Sequence, residues 1–234
     1  MSTEPAVLAI DQGTTGSMAM VVTRDGEILG RSYTEFTQHF PRPGWVEHDA
    51  REIWEVTRAV SREALRVAEG KVRVEGIGIT NQRETVVLWD RETLEPVHRA
   101  IVWQDRRTAG ICRELRGAGH EEEVRRRSGL LFDPYFSGTK LTWLFRERPE
   151  LRRRAEAGEL AAGTVDSWLL ACLTHGEVHR TDHTNASRTL LYNLTTRDWD
   201  PDLLEILEVP AGVLPRVARS SGRLGLARGE ALGL

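Results

Sequence analysis

The sequence has few of the features that build disulfide scaffolds, membrane spans or secretion signals. It contains only two cysteines in 234 residues, and Cys112 and Cys172 lack the spacing of metal ligands. The longest apolar run, residues 168–173, is far too short to cross a bilayer. The first residues show neither the basic nor the apolar region of a signal peptide. We therefore expect a cytoplasmic protein that does not interact with membranes.

The charge balance does not favour a nucleic-acid partner. The chain has 32 basic and 35 acidic residues, which give a formal net charge of −3. Protein surfaces that bind nucleic acids instead carry an excess of positive charge. Arginine triplets at 125–127 and 152–154 lie beside acidic residues without interleaved aromatic residues, so we interpret them as solvated helix faces. Neither a P-loop nor a G-x-G-x-x-G pattern occurs. Lysine is also scarce, with Lys71 and Lys140 as the only two.

The first third of the chain predicts a three-stranded antiparallel meander followed by a helix. Apolar runs at 7–10, 17–23 and 27–37 are separated by turn-forming residues, and the Asp-Gly pair at 25–26 is a strong hairpin signal. A helical period then covers about 50–69. Asp49 has the position of its N-cap, and Glu52 has the spacing of a capping box.

Strands and helices alternate in the rest of the chain. Strand patterns cover 72–80, 85–89 and 97–102, and helical patterns lie near 105–117, 119–128, 137–148 and 166–174. This order predicts an α/β fold with a mixed sheet flanked by helices.

The turn at residues 11–15, Asp-Gln-Gly-Thr-Thr, has the chemistry of a phosphate site. Gly13 lets the backbone approach a ligand closely, and successive N–H groups with the hydroxyls of Thr14 and Thr15 can form an anion nest. Asp11 is placed to hold Mg²⁺ through water. The alternative is an ordinary polar hairpin turn, although two β-branched residues are unusual in one.

Three further segments suggest a pocket for a small polyhydroxylated molecule. Arg83 and Glu84 offer forked donors and a carboxylate acceptor, Trp103 offers a flat apolar face, and Tyr135 precedes a helix for which Ser137 is the expected N-cap. The structural alternatives are a salt-bridged surface turn, a core tryptophan with Asp105 near a helix N-terminus, and a capped helix with an incidental tyrosine.

Taken in order along the chain, these segments resemble the glycerol kinases of the FGGY carbohydrate kinase family, in the actin-like ATPase superfamily. The resemblance runs from about residue 7 to about residue 221. It depends on the segments at 11–15, 43–49, 76–85, 101–104, 133–140, 163–166 and 184–189.

The resemblance implies an actin-like (ribonuclease H-like) domain and ATP-dependent phosphorylation of glycerol to sn-glycerol 3-phosphate, with ATP and Mg²⁺ required. Asp11 would organise Mg²⁺ indirectly, through water. Thr14 and Thr15 would contact the nucleotide phosphates, and so would positions 16 and 18. The glycerol contacts would be Arg83, Glu84, Trp103 and Tyr135.

The sequence departs from this family in two ways. Gly16 stands where the family usually has Ser, and Met18 where Arg is common. The family's chains are also roughly twice as long, and no Gly-Asp-Gln-Gln-like segment, which carries the expected general base, occurs here. We therefore expect residues 1–234 to form a truncated N-terminal, glycerol-binding domain that lacks the C-terminal domain and is inactive alone.

Other readings stay open. The substrate could be another sugar or polyol, or the chain could be a non-catalytic actin-like binding or interaction domain. A homo-oligomer is an open expectation for a full-length enzyme of this type.

Overall fold

A computed structural model describes residues 4–232. The strands of this part are β1 (Glu4–Gln12), β2 (Gly16–Thr23), β3 (Ile28–Glu35), β4 (Gln38–His39), β5 (Glu47–His48), β6 (Val72–Asn81), β7 (Val87–Asp90), β8 (Ala100–Ile101), β9 (Leu160–Gly163), β10 (Arg180–Asp182), β11 (Tyr192–Asn193), β12 (Asp198–Trp199) and β13 (Arg216–Ala218). The helices are α1 (Ala50–Val67), α2 (Ala109–Gly117), α3 (Glu121–Ser128), α4 (Ser137–Glu147), α5 (Pro149–Glu156), α6 (Val165–Leu173), α7 (His183–Ala186), α8 (Pro201–Ile206) and α9 (Gly229–Leu232), with a 3₁₀ turn at Ala211–Val213.

The main sheet has the strand order β3-β2-β1-β6. The pairs β1–β2 and β2–β3 are antiparallel, and β1–β6 is parallel, so the sheet is mixed and begins with the predicted meander. Asp11 lies directly opposite Met18 on one side and Thr80 on the other. The register therefore gathers the end of β1, the start of β2 and the end of β6 at one edge of the sheet.

Helix α1 covers one face of this sheet. Gly30 in β3 makes the close approach possible, because a Cβ there would lie 2.0 Å from the carbonyl oxygen of Ala64. Alternate residues of β1 and β2 point into the same core, among them Leu8 and Val21. Asp49 is the N-cap, as predicted, and accepts from two amides of the first turn. The capping-box prediction for Glu52 is wrong, because its carboxylate instead accepts from the amide and hydroxyl of Thr37, both at 2.9 Å.

The second part of the chain packs as short strands between helices, around two further apolar cores. Strands β7 and β9 pair antiparallel, and β4, β5 and β8 form a small sheet. Several boundaries differ from the predictions: the helix expected from residue 105 begins at Ala109, the strand expected over 97–102 is only two residues long, and neither α5 nor β9 was expected.

Two polar residues expected near helix starts, Ser137 as an N-cap and Asp105 close to a helix N-terminus, have other roles. The N-cap of α4 is Phe136, and the hydroxyl of Ser137 donates instead to the Glu84 carbonyl at 3.1 Å. Asp105 lies outside α2, and its carboxylate accepts from the Val46 amide at 2.7 Å and from Arg107. Both side chains hold distant loops in place rather than the ends of helices.

A buried arginine anchors the loop before α1. The Arg107 side chain is fully buried and forms ion pairs with Glu47 and Asp105 at 2.8 and 2.9 Å. Its guanidinium lies over the Trp45 ring at 3.7 Å and near the Trp143 ring at 4.7 Å. The cation thus joins the loop at 41–49 to α4.

No helix within residues 4–232 is long and apolar enough to cross a membrane.

Candidate functional site

The turn between β1 and β2 contains two consecutive backbone amides that have no acceptor among residues 4–232. It is closed by the Gly13 amide, which donates to the Gly16 carbonyl at 2.9 Å. Within residues 4–232 the amides of Thr14 and Thr15 donate to no acceptor. Their carbonyls do accept: that of Thr14 from the Gln38 side chain, and that of Thr15 from the Phe36 amide. Consecutive free amides beside hydroxyls are the elements of an anion nest, so the turn has the donors that the sequence predicted.

Asp11 lies exposed beside this turn, at the end of β1. Its carboxylate makes no hydrogen bond or ion pair within the described part of the chain. No group of three or more His, Cys, Asp or Glu side chains in residues 4–232 is arranged to hold a metal ion. Asp11 is therefore not part of a cluster of metal ligands, and its one carboxylate suits a cation held mainly by water and phosphate oxygens.

The turn is joined directly to the predicted substrate residues. The indole N–H of Trp103 donates to the Thr14 hydroxyl at 3.0 Å. The Gln82 amide group donates to the Gly13 carbonyl at 3.1 Å and accepts from the Thr85 hydroxyl at 2.8 Å. The 80–85 segment and Trp103 are thus fixed to the same turn that carries the free amides.

His48 connects Gln38 to Gln82 beneath the protein surface, next to this turn. It is fully buried, and its Nε2 lies 2.7 Å from Gln38 Oε1. Because that oxygen can only accept, Nε2 carries the proton, and Nδ1 is free to accept from Gln82 at 3.4 Å. Burial lowers the pKa of His48 to about 4, with a smaller contribution from His39, which keeps the ring neutral in this role.

Glu84 is a buried carboxylate held in an unusual backbone conformation. Its φ is 64°, its exposed fraction is 2%, and Arg188 donates to its Oε1 at 2.7 Å. Among the described residues Oε2 has no partner. The geometry neutralises the buried charge on one side and leaves one oxygen to accept a ligand hydroxyl.

Aromatic rings surround the arginine that holds this carboxylate. Trp103 and Tyr135 meet edge to face with centroids 5.6 Å apart. The Arg188 guanidinium lies 5.0 Å from the Phe136 ring and 5.7 Å from the Tyr135 ring. Apolar walls beside a few fixed polar atoms are typical of small-molecule sites.

Lys140 fixes the backbone that carries Tyr135. Its ammonium is completely buried and donates to the carbonyls of Pro134, Tyr135 and Phe136 at 2.7, 2.6 and 3.0 Å. Burial lowers the pKa of Lys140 to about 7, opposed by carboxylates that include Asp105. One side chain therefore gathers three consecutive carbonyls into a tight turn.

Arg83 does not join this group. Its side chain is exposed, forms no ion pair within residues 4–232 and lines a groove of about 1020 Å³ along β6. Glu84, Trp103 and Tyr135 do not line that groove. The predicted contact between Arg83 and a shared ligand stays a prediction.

Three contributors to the site were not singled out from the sequence as site residues: Arg188, Gln82 and His48. Each lies in a segment that carried the family resemblance. Arg188 is 104 residues from Glu84 and Gln82 is 69 residues from Gly13, so no local pattern connects them. Lys140 was conspicuous only because the chain has two lysines.

Comparison with known proteins gives the same family over nearly the whole chain. The model of the N-terminal domain of the FGGY family of carbohydrate kinases matches residues 6–233. A glycerol kinase of Alkalilimnicola ehrlichii is 58% identical over 94% of this chain, and one of Rhodospirillum rubrum is 57% identical over 94%. In both cases the match covers 45% of the relative, so the chain spans about half the length of the curated relatives it matches.

Solved structures share the fold. A Plasmodium falciparum glycerol kinase crystallised with ADP matches with a TM-score of 0.95 and 33% identity, over 99% of this chain and 46% of that one. A xylulose kinase of Rhodospirillum rubrum matches with a TM-score of 0.88 and 25% identity, over 97% of this chain and 45% of that one. Both matches support the predicted actin-like α/β fold.

Proposed function

The chain belongs to the FGGY family of carbohydrate kinases, and on that premise we propose that it forms the glycerol-binding domain of a glycerol kinase. The reaction is ATP-dependent phosphoryl transfer to glycerol, giving sn-glycerol 3-phosphate and ADP. One observation carries the proposal: the indole of Trp103 donates to the Thr14 hydroxyl at 3.0 Å. A hydroxylated acceptor and a phosphate group would thereby be held side by side.

We place glycerol against the Glu84 carboxylate. The unpartnered Oε2 accepts a glycerol hydroxyl, Trp103 packs against the carbon chain, and Tyr135 contributes its hydroxyl. Arg83 is assigned as a forked donor that turns toward the ligand on binding. A triol offers only hydroxyls and C–H groups, which this combination of carboxylate, guanidinium and aromatic rings matches.

The nucleotide half assigns the phosphates of ATP to the β1–β2 turn. The free amides and hydroxyls of Thr14 and Thr15 would hold phosphate oxygens, and Asp11 would orient the waters of Mg²⁺. Positions 16 and 18 face the same ligand. Bound Mg²⁺ would supply charge neutralisation for phosphoryl transfer, in which the protein acts mainly by positioning and electrostatics.

The relatives support glycerol as the polyol. Curated glycerol kinases match at 53–58% identity, and among solved structures a glycerol kinase matches at 33% and a xylulose kinase at 25%. We assign the general base to a segment outside residues 1–234, because the sequence has no Gly-Asp-Gln-Gln-like segment.

Calorimetric titration of the purified 234-residue chain with glycerol, xylulose and gluconate tests the substrate. We expect binding of glycerol alone, and its loss in Glu84→Gln and Arg83→Ala. Arg62→Ala, which removes an exposed arginine of α1, is the matched control and should bind normally. Unchanged glycerol affinity in both site variants would contradict the assignment.

Mass spectrometry of the chain incubated with glycerol and Mg·ATP tests the assignment of the general base. We expect no sn-glycerol 3-phosphate above a mock preparation. Product formation would show that the chain contains its own base.

A further inference from the structure

The face of the main sheet opposite α1 continues the nucleotide turn onto β3. Paired residues of neighbouring strands place their side chains on the same face. The register sets Asp11, Met18 and Tyr33 side by side, and Met20 opposite Arg31 in the next row. Because Gly30 faces α1, its neighbour Arg31 faces away from the helix, as does Tyr33.

The phenol of Tyr33 occupies the space next to Gly16. A Cβ at Gly16 would lie 2.7 Å from the Tyr33 hydroxyl oxygen and 2.6 Å from the Thr34 carbonyl. The glycine directly after Thr15 is therefore what allows this ring to lie against the turn. Tyr33 is 51% exposed, and its hydroxyl makes no hydrogen bond within residues 4–232. An unpartnered hydroxyl thus stands where a side chain at position 16 would begin.

The guanidinium of Arg31 lies against the side chain of Met18. Its Nε is 3.3 Å from the Met18 sulfur, which is only a weak acceptor. Arg31 forms no ion pair with any residue in the described range. Its terminal N–H groups are therefore free to donate to a ligand. A cation of β3 is thereby placed beside position 18, whose own side chain is uncharged.

Two carboxylates share this face. Asp11 lies opposite Met18, and Glu35 lies opposite Gly16. A bare polyphosphate would be repelled by them, whereas a metal-complexed polyphosphate carries a cation for the carboxylates and oxygens for the guanidinium. The mixture of charges therefore matches a metal–nucleotide complex better than a free anion.

We propose that Tyr33 and Arg31 of β3 are nucleotide-binding residues of this chain, supplying the hydroxyl and the positive charge that positions 16 and 18 lack. This inference rests on the proposed function, because it assumes that Mg·ATP occupies the β1–β2 turn. Arg31 donates to phosphate oxygens through its terminal N–H groups. Tyr33 donates its phenolic hydroxyl from above Gly16.

Titration of the full 234-residue chain with Mg·ATP tests the proposal. Arg31→Met should weaken binding about tenfold, the loss expected for one charge-assisted hydrogen bond. Tyr33→Phe, which removes a single oxygen, should weaken binding about threefold. Arg24→Met is the matched control, because it removes the same charge from an exposed position just beyond the other end of β2, and it should bind like the wild type.

A Thr14→Val variant separates the two levels of the argument. If Thr14→Val loses Mg·ATP while Arg31→Met and Tyr33→Phe bind normally, the turn is the nucleotide site and the proposal for β3 is wrong. If Arg31→Met and Arg24→Met weaken binding equally, the effect is general electrostatics and the proposal is also overturned. If the folded wild-type chain binds no Mg·ATP, the nucleotide half of the proposed function fails, and this inference fails with it.

Discussion

The contact between Glu84 and Arg188 allows the strongest test of how the proposed substrate site is held together. The two groups meet at 2.7 Å, and their side chains are 3% and 28% exposed. A hydrogen bond to a charged group contributes about 1.5–3 kcal/mol, whereas pairs of exposed charges contribute about 0.2–1 kcal/mol. Because only one partner reaches solvent, we expect a coupling free energy of about 2 kcal/mol.

A double-mutant cycle measures this coupling without assuming any ligand. Glu84→Gln and Arg188→Met keep most of the side-chain volume, and Gln tolerates the left-handed φ of 64° no worse than Glu. Urea unfolding followed by tryptophan fluorescence gives the free energy of unfolding of each variant. The sum of the two single losses in the free energy of unfolding should exceed the loss in the double variant by about 2 kcal/mol.

The exposed pair Glu63–Arg66 on α1 serves as the control cycle, since both of its side chains lie in solvent. Its coupling should be much smaller. A coupling below about 0.5 kcal/mol for Glu84–Arg188 would show that the buried carboxylate does not depend on this arginine. Arg188 would then not be the residue that holds one oxygen of Glu84 and leaves the other free.

Three further variants test the supports of the site by urea unfolding. Lys140→Met leaves three carbonyls without their shared donor, so it should lower the free energy of unfolding by about 2–4 kcal/mol and weaken glycerol binding. Burial holds the pKa of His48 near 4, so the unfolded chain binds an extra proton between pH 6.5 and 4. The free energy of unfolding should therefore decrease as the pH is lowered through that range. His48→Gln should flatten this pH dependence, and an unchanged slope would contradict the expectation. Arg107→Met leaves Glu47 and Asp105 buried without their cation and should cost about 3–5 kcal/mol, whereas a loss below 1 kcal/mol would show that the cluster does not anchor its loop.

The sequence predicted best where a few adjacent residues decide the structure. The meander follows from alternating runs and an Asp-Gly turn, and the β1–β2 turn displays the free amides that its composition suggested. Asp49 caps α1 because its carboxylate can reach the amides two and three residues ahead. These features need no information from elsewhere in the chain.

The predictions failed where a side chain finds a better partner far away. Ser137 is a residue type that often caps helices, yet its hydroxyl donates to the Glu84 carbonyl, 53 residues away in the sequence. Glu52 has the spacing of a capping box, yet it bonds to Thr37. Helix α5 was missed because its buried side is narrow, with only Leu151 and Ala155 in the core.

The proposed substrate and nucleotide halves of the site are joined by direct hydrogen bonds. Gln82 touches the turn carbonyl of Gly13 and the neutral ring of His48, while Trp103 bonds to Thr14 and packs against Tyr135. Phosphoryl transfer depends on holding the acceptor oxygen and the phosphorus in line. Fixing the acceptor wall to the phosphate turn by direct hydrogen bonds removes one source of relative motion. If glycerol and ATP occupy the sites proposed above, these hydrogen bonds set the positions of acceptor and phosphate relative to each other.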